Sequence, residues 1–466
     1  MKKSLFILVI VAVLAVPMAA MAATEFSLGG YIKMEVIWDS TQVNKNLLGF
    51  ISRNNDPNFQ HGRLKFTAEN SRMNFTIKGP KVWGADTSAY IEWDFDNHAN
   101  EYVFTGAPGG GWASPEKARI GLRHAIFRLN WPETELMMGQ YWSMLTEEIP
   151  ETANFGAGTT GGQPFLREPQ IRVTQMFGLG GGKMTASIAL AEASNGLWGI
   201  SLNSTQSTTN PYGGESTETP KVEGRIKYDI DLWGKAAFWG TPRPFSVRLG
   251  AAWWKERFRA SSQAGQVFGQ DNFVGATVTQ RDQQYLDHWL AEASVFIPLI
   301  PTHSANLAGT ASLLTQWWVG AGLDGYFEDF PGTASYLNFN NALTPTSYVG
   351  DRQLLQRYGG FVQLQYYFTN QWYAQAMWGM NRAFGVDQDR WMGDTTANDP
   401  VKLNQHYYAT LWYRPIQALK FGLEYTYVRT DYFQNRGATA AGAVGTVNPT
   451  NIGENHRLMF CGFFFF

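Results

Sequence analysis

The 466-residue sequence holds a single cysteine, Cys461, so no internal disulfide can brace the fold. It has no C-x-x-C-H segment, which excludes covalently attached c-type haem, and no H-E-x-x-H. Its seven histidines, His61, His98, His124, His288, His303, His406 and His456, follow no metal-ligand spacing. Past the N-terminal segment, no apolar run reaches the ~18 residues that a membrane-crossing helix needs. An excess of either charge is missing too: 37 Lys and Arg against 39 Asp and Glu leave a net charge of −2. Nothing in that balance would draw a nucleic-acid backbone. No catalytic residue, metal or cofactor is expected.

What is there begins with an export signal. Lys2 and Lys3, an apolar run over 5–16 and Ala20-Met21-Ala22 supply the charged start, hydrophobic stretch and small-residue cleavage site of a secretory leader. Residues 1–22 therefore read as a signal peptide and 23–466 as one mature domain; losing the two lysines moves the formal charge from −2 to −4. Aromatic residues make up 15% of the chain, yet its mean hydropathy is only −0.26. An exported chain rich in aromatics but not apolar on average suits strands that alternate between lipid and water.

The alternation is explicit at both ends. Phe26, Leu28, Ile32, Met34, Val36 and Trp38 share one parity, while Lys33 and Glu35 take the other. Leu458, Phe460, Gly462, Phe464 and Phe466 alternate with Arg457, Met459, Cys461, Phe463 and Phe465. As the edge of a soluble sheet such a strand would aggregate. In a closed barrel it pairs with the first strand and shows its apolar face to acyl chains. Between the two ends the same rhythm gives about sixteen strands in all. Connections run long, short, long, short, with the turns near 231–244 and 298–309 somewhat extended. A parity switch at Asn70-Ser71 predicts a bulge in the second strand. The expected fold is all-β: a transmembrane antiparallel β-barrel of about 16 strands, with a constriction loop at 143–168 after strand five.

Charge on a lipid face costs about 2–4 kcal/mol at mid-membrane. Lys33, Arg72, Lys78, Arg123, Arg172, Arg225, Lys227 and Arg248 are accordingly assigned to the lumen. Clustered Lys and Arg in a pore favour anions. Paired with acids such as Glu35, Glu92 and Asp94, the same cations form a neutralised wall, and the residues alone leave both readings open. The insertion carries Glu147, Glu148 and Glu151, a Gly-rich stretch at 156–162, then Arg167 and Glu168. Folded inward, its acids would face the wall arginines and set up a transverse field; folded outward, they would simply be solvated. A lipid-hydrolysing barrel would need a nucleophilic serine beside His124 or His288, and no serine marks itself as that partner.

Five segments within the first 175 residues resemble the DcaP-like porins, a family of trimeric outer-membrane channels. They are Gly30-Tyr31-Ile32-Lys33, Asn70-Ser71-Arg72-Met73-Asn74-Phe75, Leu122-Arg123-His124-Ala125, Gly139-Gln140-Tyr141-Trp142-Ser143 and Arg167-Glu168-Pro169-Gln170-Ile171-Arg172. The resemblance implies passive uptake of small anions, typically dicarboxylates and aromatic acids, through a basic constriction to which Arg72, Arg123, Arg167 and Arg172 contribute. Glu69 stands where members often carry a basic residue. The expectation is a homotrimeric porin in the outer membrane of a Gram-negative bacterium, surrounded by outer-membrane lipid and passing small hydrophilic solutes with a preference for anions. Residues expected to meet the solute are Lys33, Arg72, Arg123, Arg167, Arg172, Arg225 and Arg248, opposed by Glu147, Glu148 and Glu151. The alternatives are a structural or adhesive barrel plugged by its loops, a barrel lipid hydrolase, and a sheath around a haem-bearing partner.

Overall fold

Alternating side chains dictate extended strands, and a hydrocarbon surrounding dictates that no strand edge stays open, because an unpaired N–H or C=O there costs several kcal/mol. The computed structural model describes residues 24–43, 48–54, 61–96, 120–146, 148–155, 161–193, 218–259, 283–327, 336–337, 352–384, 401–432 and 452–466. The leader at 1–22, the loop stretch 156–160 and Glu147 lie outside the described residues.

The strands are β1 (Glu25–Asp39), β2 (Arg63–Thr67 and Arg72–Lys78), β3 (Asp86–Asp94), β4 (Gly121–Asn130), β5 (Thr134–Trp142), β6 (Arg167–Leu179), β7 (Gly182–Ala191) and β8 (Lys221–Ile230). They continue with β9 (Phe245–Arg259), β10 (Gln283–Ile300), β11 (Ala311–Ala321), β12 (Gln356–Tyr367), β13 (Trp372–Phe384), β14 (Val401–Ile416), β15 (Leu419–Tyr432) and β16 (Ile452–Phe465). Each pairs antiparallel with the next, and β16 returns to β1 in a register running from Tyr31↔Phe465 to Asp39↔Arg457. The sheet contains 17 strand segments, two of which are the halves of β2, so sixteen strands close the barrel.

The faces follow the sequence parity. On β16, Arg457, Met459 and Cys461 are fully buried in the lumen, whereas Phe460 and Phe464 are 46% and 52% exposed on the outside. On β1, Lys33, Glu35 and Asp39 are buried while Phe26, Leu28 and Ile32 are exposed. The parity switch in β2 is larger than a one-residue bulge: residues 68–71 leave the ladder altogether. Side chains replace the lost ladder bonds there, as Asn70 Nδ2 donates to Glu35 Oε2 (2.8 Å) and Ser71 Oγ accepts from the Lys33 N–H (3.0 Å).

Long and short connections segregate to opposite rims. A two-residue turn joins β6 to β7 through Gly180 and Gly181, both at positive φ (54° and 82°), the geometry of a primed hairpin turn that glycine takes without strain. Lys78 ends at this short-turn rim, exposed and 3.4 Å from Glu25. Among the described segments that turn into the barrel, two shape its constriction, while residues 48–51 and 326–327 pack inside near the long-loop rim. The loop between β5 and β6 enters from the long-loop rim. The connection between β8 and β9, expected as an extended turn, instead forms a hairpin of Ala236–Phe238 and Thr241–Arg243 that enters from the other rim.

Leu423, the fifth of the 14 residues of β15, lies on its outward face above the short turn at 417–418. Leu423→Arg is expected to cost about 2–4 kcal/mol. Urea unfolding of the protein from lipid vesicles measures that loss directly.

Candidate functional site: the lumen constriction

The loop at 143–166 is seated from its root outward. At the root, Ser143 Oγ donates to Glu223 Oε1 (2.7 Å) and the Met144 N–H to Glu223 Oε2 (3.0 Å), a carboxylate that also accepts from Tyr326 OH (2.5 Å). Further in, Gln316 Nε2 donates to the Leu145 carbonyl (2.9 Å) and Trp318 Nε1 to the Gly162 carbonyl (2.6 Å). The backbones then touch. A methyl group on Gly162 would overlap the Gly360 carbonyl of β12, and one on Gly379 of β13 would overlap the Gly161 carbonyl. Only glycine lets loop and wall approach this closely.

At the far end Glu151 is enclosed by the second half of the barrel. Its carboxylate accepts from Gln365 Nε2 (2.5 Å), Tyr373 OH (2.7 Å) and Lys420 Nζ. Its backbone exchanges two bonds with the Gln363 amide (3.1 and 3.0 Å). Glu424 takes the N–H groups of Ala153 (2.6 Å) and Asn154 (3.0 Å), and Lys33 Nζ donates to the Ala153 carbonyl (2.7 Å). The loop is thus fastened along the inner faces of β11, β12, β13, β15 and β1.

The lumen stays open on the opposite side, where a cavity of about 670 Å³ remains. Five cations line it, Arg72, Arg225, Lys227, Arg243 and Arg248, against two acids, Glu148 and Asp229. Five aromatic side chains, Trp142, Phe155, Phe165, Phe238 and Trp239, complete its walls. Several of the charges are paired: Lys227 with Asp229 (3.2 Å), Arg248 with Glu292 (2.8 Å), and Arg243 with Glu148 through two parallel bonds of 2.8 Å. Arg72 makes no ion pair among the described residues. Its guanidinium lies over the rings of Phe155 (5.0 Å) and Tyr31 (5.7 Å).

No family model matches the sequence, and no curated protein does. Among solved structures, the outer membrane channel DcaP of Acinetobacter baumannii superposes with a TM-score of 0.61, covering 96% of this chain and 99% of that one at 14% identity. The fold is DcaP-like. An anion-selective porin from Comamonas acidovorans (TM-score 0.49, 11% identity, 95% of this chain and 100% of that one) is less similar. OprB of Pseudomonas putida stands at the same level (TM-score 0.49, 8% identity, 95% and 94%).

Within this DcaP-like barrel the residues singled out by sequence divide into two groups. Arg72, Arg225, Arg248 and Glu148 come together around the cavity. The others do not line it. Lys33 is buried 2.6 Å from Glu35 and holds the loop. Arg123 bonds Glu92 (2.7 Å) and Asp94 (2.5 Å). Arg172 donates to the Trp142 carbonyl (2.5 Å), and Arg167 stacks over the Trp142 ring (5.1 Å). Glu151 faces the far wall, and Glu147 lies outside the described residues. Glu69 is buried and reached by Lys65 (3.4 Å). Sequence parity missed Arg243 and the aromatic lining. The available signal was the length of the 231–244 turn and its apolar run Ala236-Ala237-Phe238-Trp239, which a water-facing turn has no reason to carry.

Burial pushes the Glu148 carboxyl up, but Arg243 and Arg248 outweigh it and hold the group at about 2. A carboxyl depressed in the folded state stabilises above its unfolded value of ~4.3, and that contribution is lost only as pH falls through the folded one. The Glu148–Arg243 pair therefore persists in mild acid. Infrared difference spectra of the wild type against Glu148→Gln are expected to show this carboxylate still ionised at about pH 4.

Proposed function

We propose that this chain is a porin of a Gram-negative outer membrane, exported through the leader at 1–22, assembled as a homotrimer, and passing small hydrophilic anions by diffusion. The observation that carries the reading is Arg72: a lumen guanidinium beside an open cavity with no carboxylate bound to it among the described residues. Its placement has a structural cause. Asp94 sits directly across from Arg72 in the β2–β3 ladder, yet the Asp94 carboxylate is taken by Arg123, which also takes Glu92. Both carboxylates make their direct bonds to Arg123, so Arg72 lies in the field of Glu92 but forms no ion pair among the described residues, and an anion arriving in the lumen can bind it.

Range supports the same reading. At physiological salt, charges separated by more than about 8 Å are largely screened, so only the cations that line the narrow cavity steer a permeating ion. Five cations and two acids line that cavity, with Arg248 further paired to Glu292. The aromatic side of the cavity favours solutes with an apolar or planar body joined to a carboxylate, in keeping with the dicarboxylates and aromatic acids that the family resemblance implies. A cavity of about 670 Å³ leaves room inside the barrel for a small solute.

The test is the reversal potential of the purified protein in a planar bilayer under a salt gradient. Arg72→Ala is expected to lower the anion-to-cation permeability ratio severalfold while the barrel stays folded. An unchanged potential would overturn the role of Arg72. Arg123→Ala is expected to act on stability instead, because it leaves Glu92 and Asp94 buried without their cation, a loss of about 3–5 kcal/mol.

A further inference from the structure

The connection between β8 and β9 is a structural element in its own right. Lys235 and Thr302 exchange backbone bonds (2.9 and 2.7 Å), fixing the point where the chain leaves the rim. The hairpin then lies against the inner wall: Ser312 Oγ donates to the Ala237 carbonyl (2.9 Å), and Phe238 packs on Phe296 in a cluster with Leu314, Phe361, Met377 and Tyr408. Its tip reaches the constriction loop. Trp239 Nε1 donates to the Ile149 carbonyl (3.1 Å), the Gly240 N–H donates to Tyr367 OH (2.9 Å), and Arg243 grips both oxygens of Glu148. Arg243 also donates to Ser246 Oγ (2.7 Å) and lies over the Phe296 ring (4.6 Å), so its guanidinium is held before the carboxylate arrives.

We infer that the hairpin 236–243 is a second selectivity element of the channel, with Arg243 as the residue that both positions the constriction loop and cancels Glu148, a loop acid that faces the cavity. The inference rests on the porin reading. The loop is fastened on its far side by β11, β12, β13, β15 and β1; on the cavity side, apart from a bond from Gln163 of the loop itself to the Glu148 carbonyl, the hydrogen bonds at 148–149 run to this hairpin. Without Arg243, Glu148 keeps only Arg248 and Lys227 as counter-charges, and the loop loses the stronger of its two ties to the hairpin, the Trp239–Ile149 bond remaining. A planar two-pronged contact of this kind is not reproduced by lysine, which supplies the charge without the fork.

Two readouts separate position from charge: the reversal potential, and the size cut-off for neutral saccharides in liposome swelling. Arg243→Ala is expected to shift the potential toward cations and to admit larger saccharides. Adding Glu148→Gln is expected to return the potential to the wild-type side while the cut-off stays raised, because the charge is gone but the clamp is still missing. Arg243→Lys is expected to keep the potential and raise the cut-off. Wild-type values of both readouts in Arg243→Ala would overturn the inference, as would a double variant whose potential stays where the single variant put it. Saccharide passage does not depend on ion preference. A raised cut-off in Arg243→Ala alongside an unchanged potential in Arg72→Ala would therefore sink the anion reading and leave the positioning role of the hairpin standing.

Discussion

The close approach of the 143–166 loop to the backbones of β12 and β13 decides where this barrel is open. Gly162 and Gly379 lack the Cβ that would hold the surfaces apart, and Trp318, Gln316, Gln363 and Glu424 then satisfy loop groups that would otherwise be buried without partners. Once the loop lies on that wall, the remaining space falls beside β2, β8 and β9. The inner face of the second half is rich in Gln and Glu for the same reason: it is a docking surface for backbone amides and carbonyls. Five cations are left around the cavity that remains.

Period-two alternation made the barrel legible, because lipid permits no other solution for strands with one apolar face. The pairing of Trp38 with Leu458 and Val36 with Phe460 across the closing seam joins outward residues to outward residues, as the parity required. Parity assigns a face, however, and says nothing of height or partner. Arg72, Arg123 and Arg172 all point inward by the same rule, yet one meets the cavity, one is neutralised by two carboxylates, and one bonds a carbonyl at the loop root. What separates them is the register between neighbouring strands and the competition for Asp94, both tertiary facts. The position of Glu151 was hidden for the same reason: the sequence marks it as an acid on an inserted loop and carries no sign of which wall the loop will choose.

The charged lumen is therefore poorly described by counting cations. Most of the buried charges are structural, and truncating one member of such a pair leaves a costly orphan in a poorly solvated place. Asp39 shows the pattern away from the constriction, held by Arg457 (2.7 Å) and Arg63 (2.8 Å). Lys221 does likewise near the loop root, with Glu168 (2.5 Å) and Glu223 (3.2 Å). Selectivity depends on the small remainder of charge that these networks leave uncancelled at the cavity surface.

Of the four non-glycine residues at positive φ among the described residues, Trp83 and Glu218 lie elsewhere and two lie at the cavity. Phe155 on the loop and Trp239 at the hairpin tip both adopt positive φ, 59° and 52°, where a bulky L-residue costs roughly 1–2 kcal/mol. Both side chains line the cavity, and Trp239 is followed by Gly240 at φ 76°, completing a tight two-residue turn. A glycine or asparagine at either position would relieve the strain but remove an aromatic wall. Local propensity argues against aromatics at these two points, so no propensity-based reading could have placed them there. Held in these strained conformations on two segments that enter the lumen from opposite rims, the two rings give the cavity part of its aromatic wall, with Phe155 directly beneath the Arg72 guanidinium.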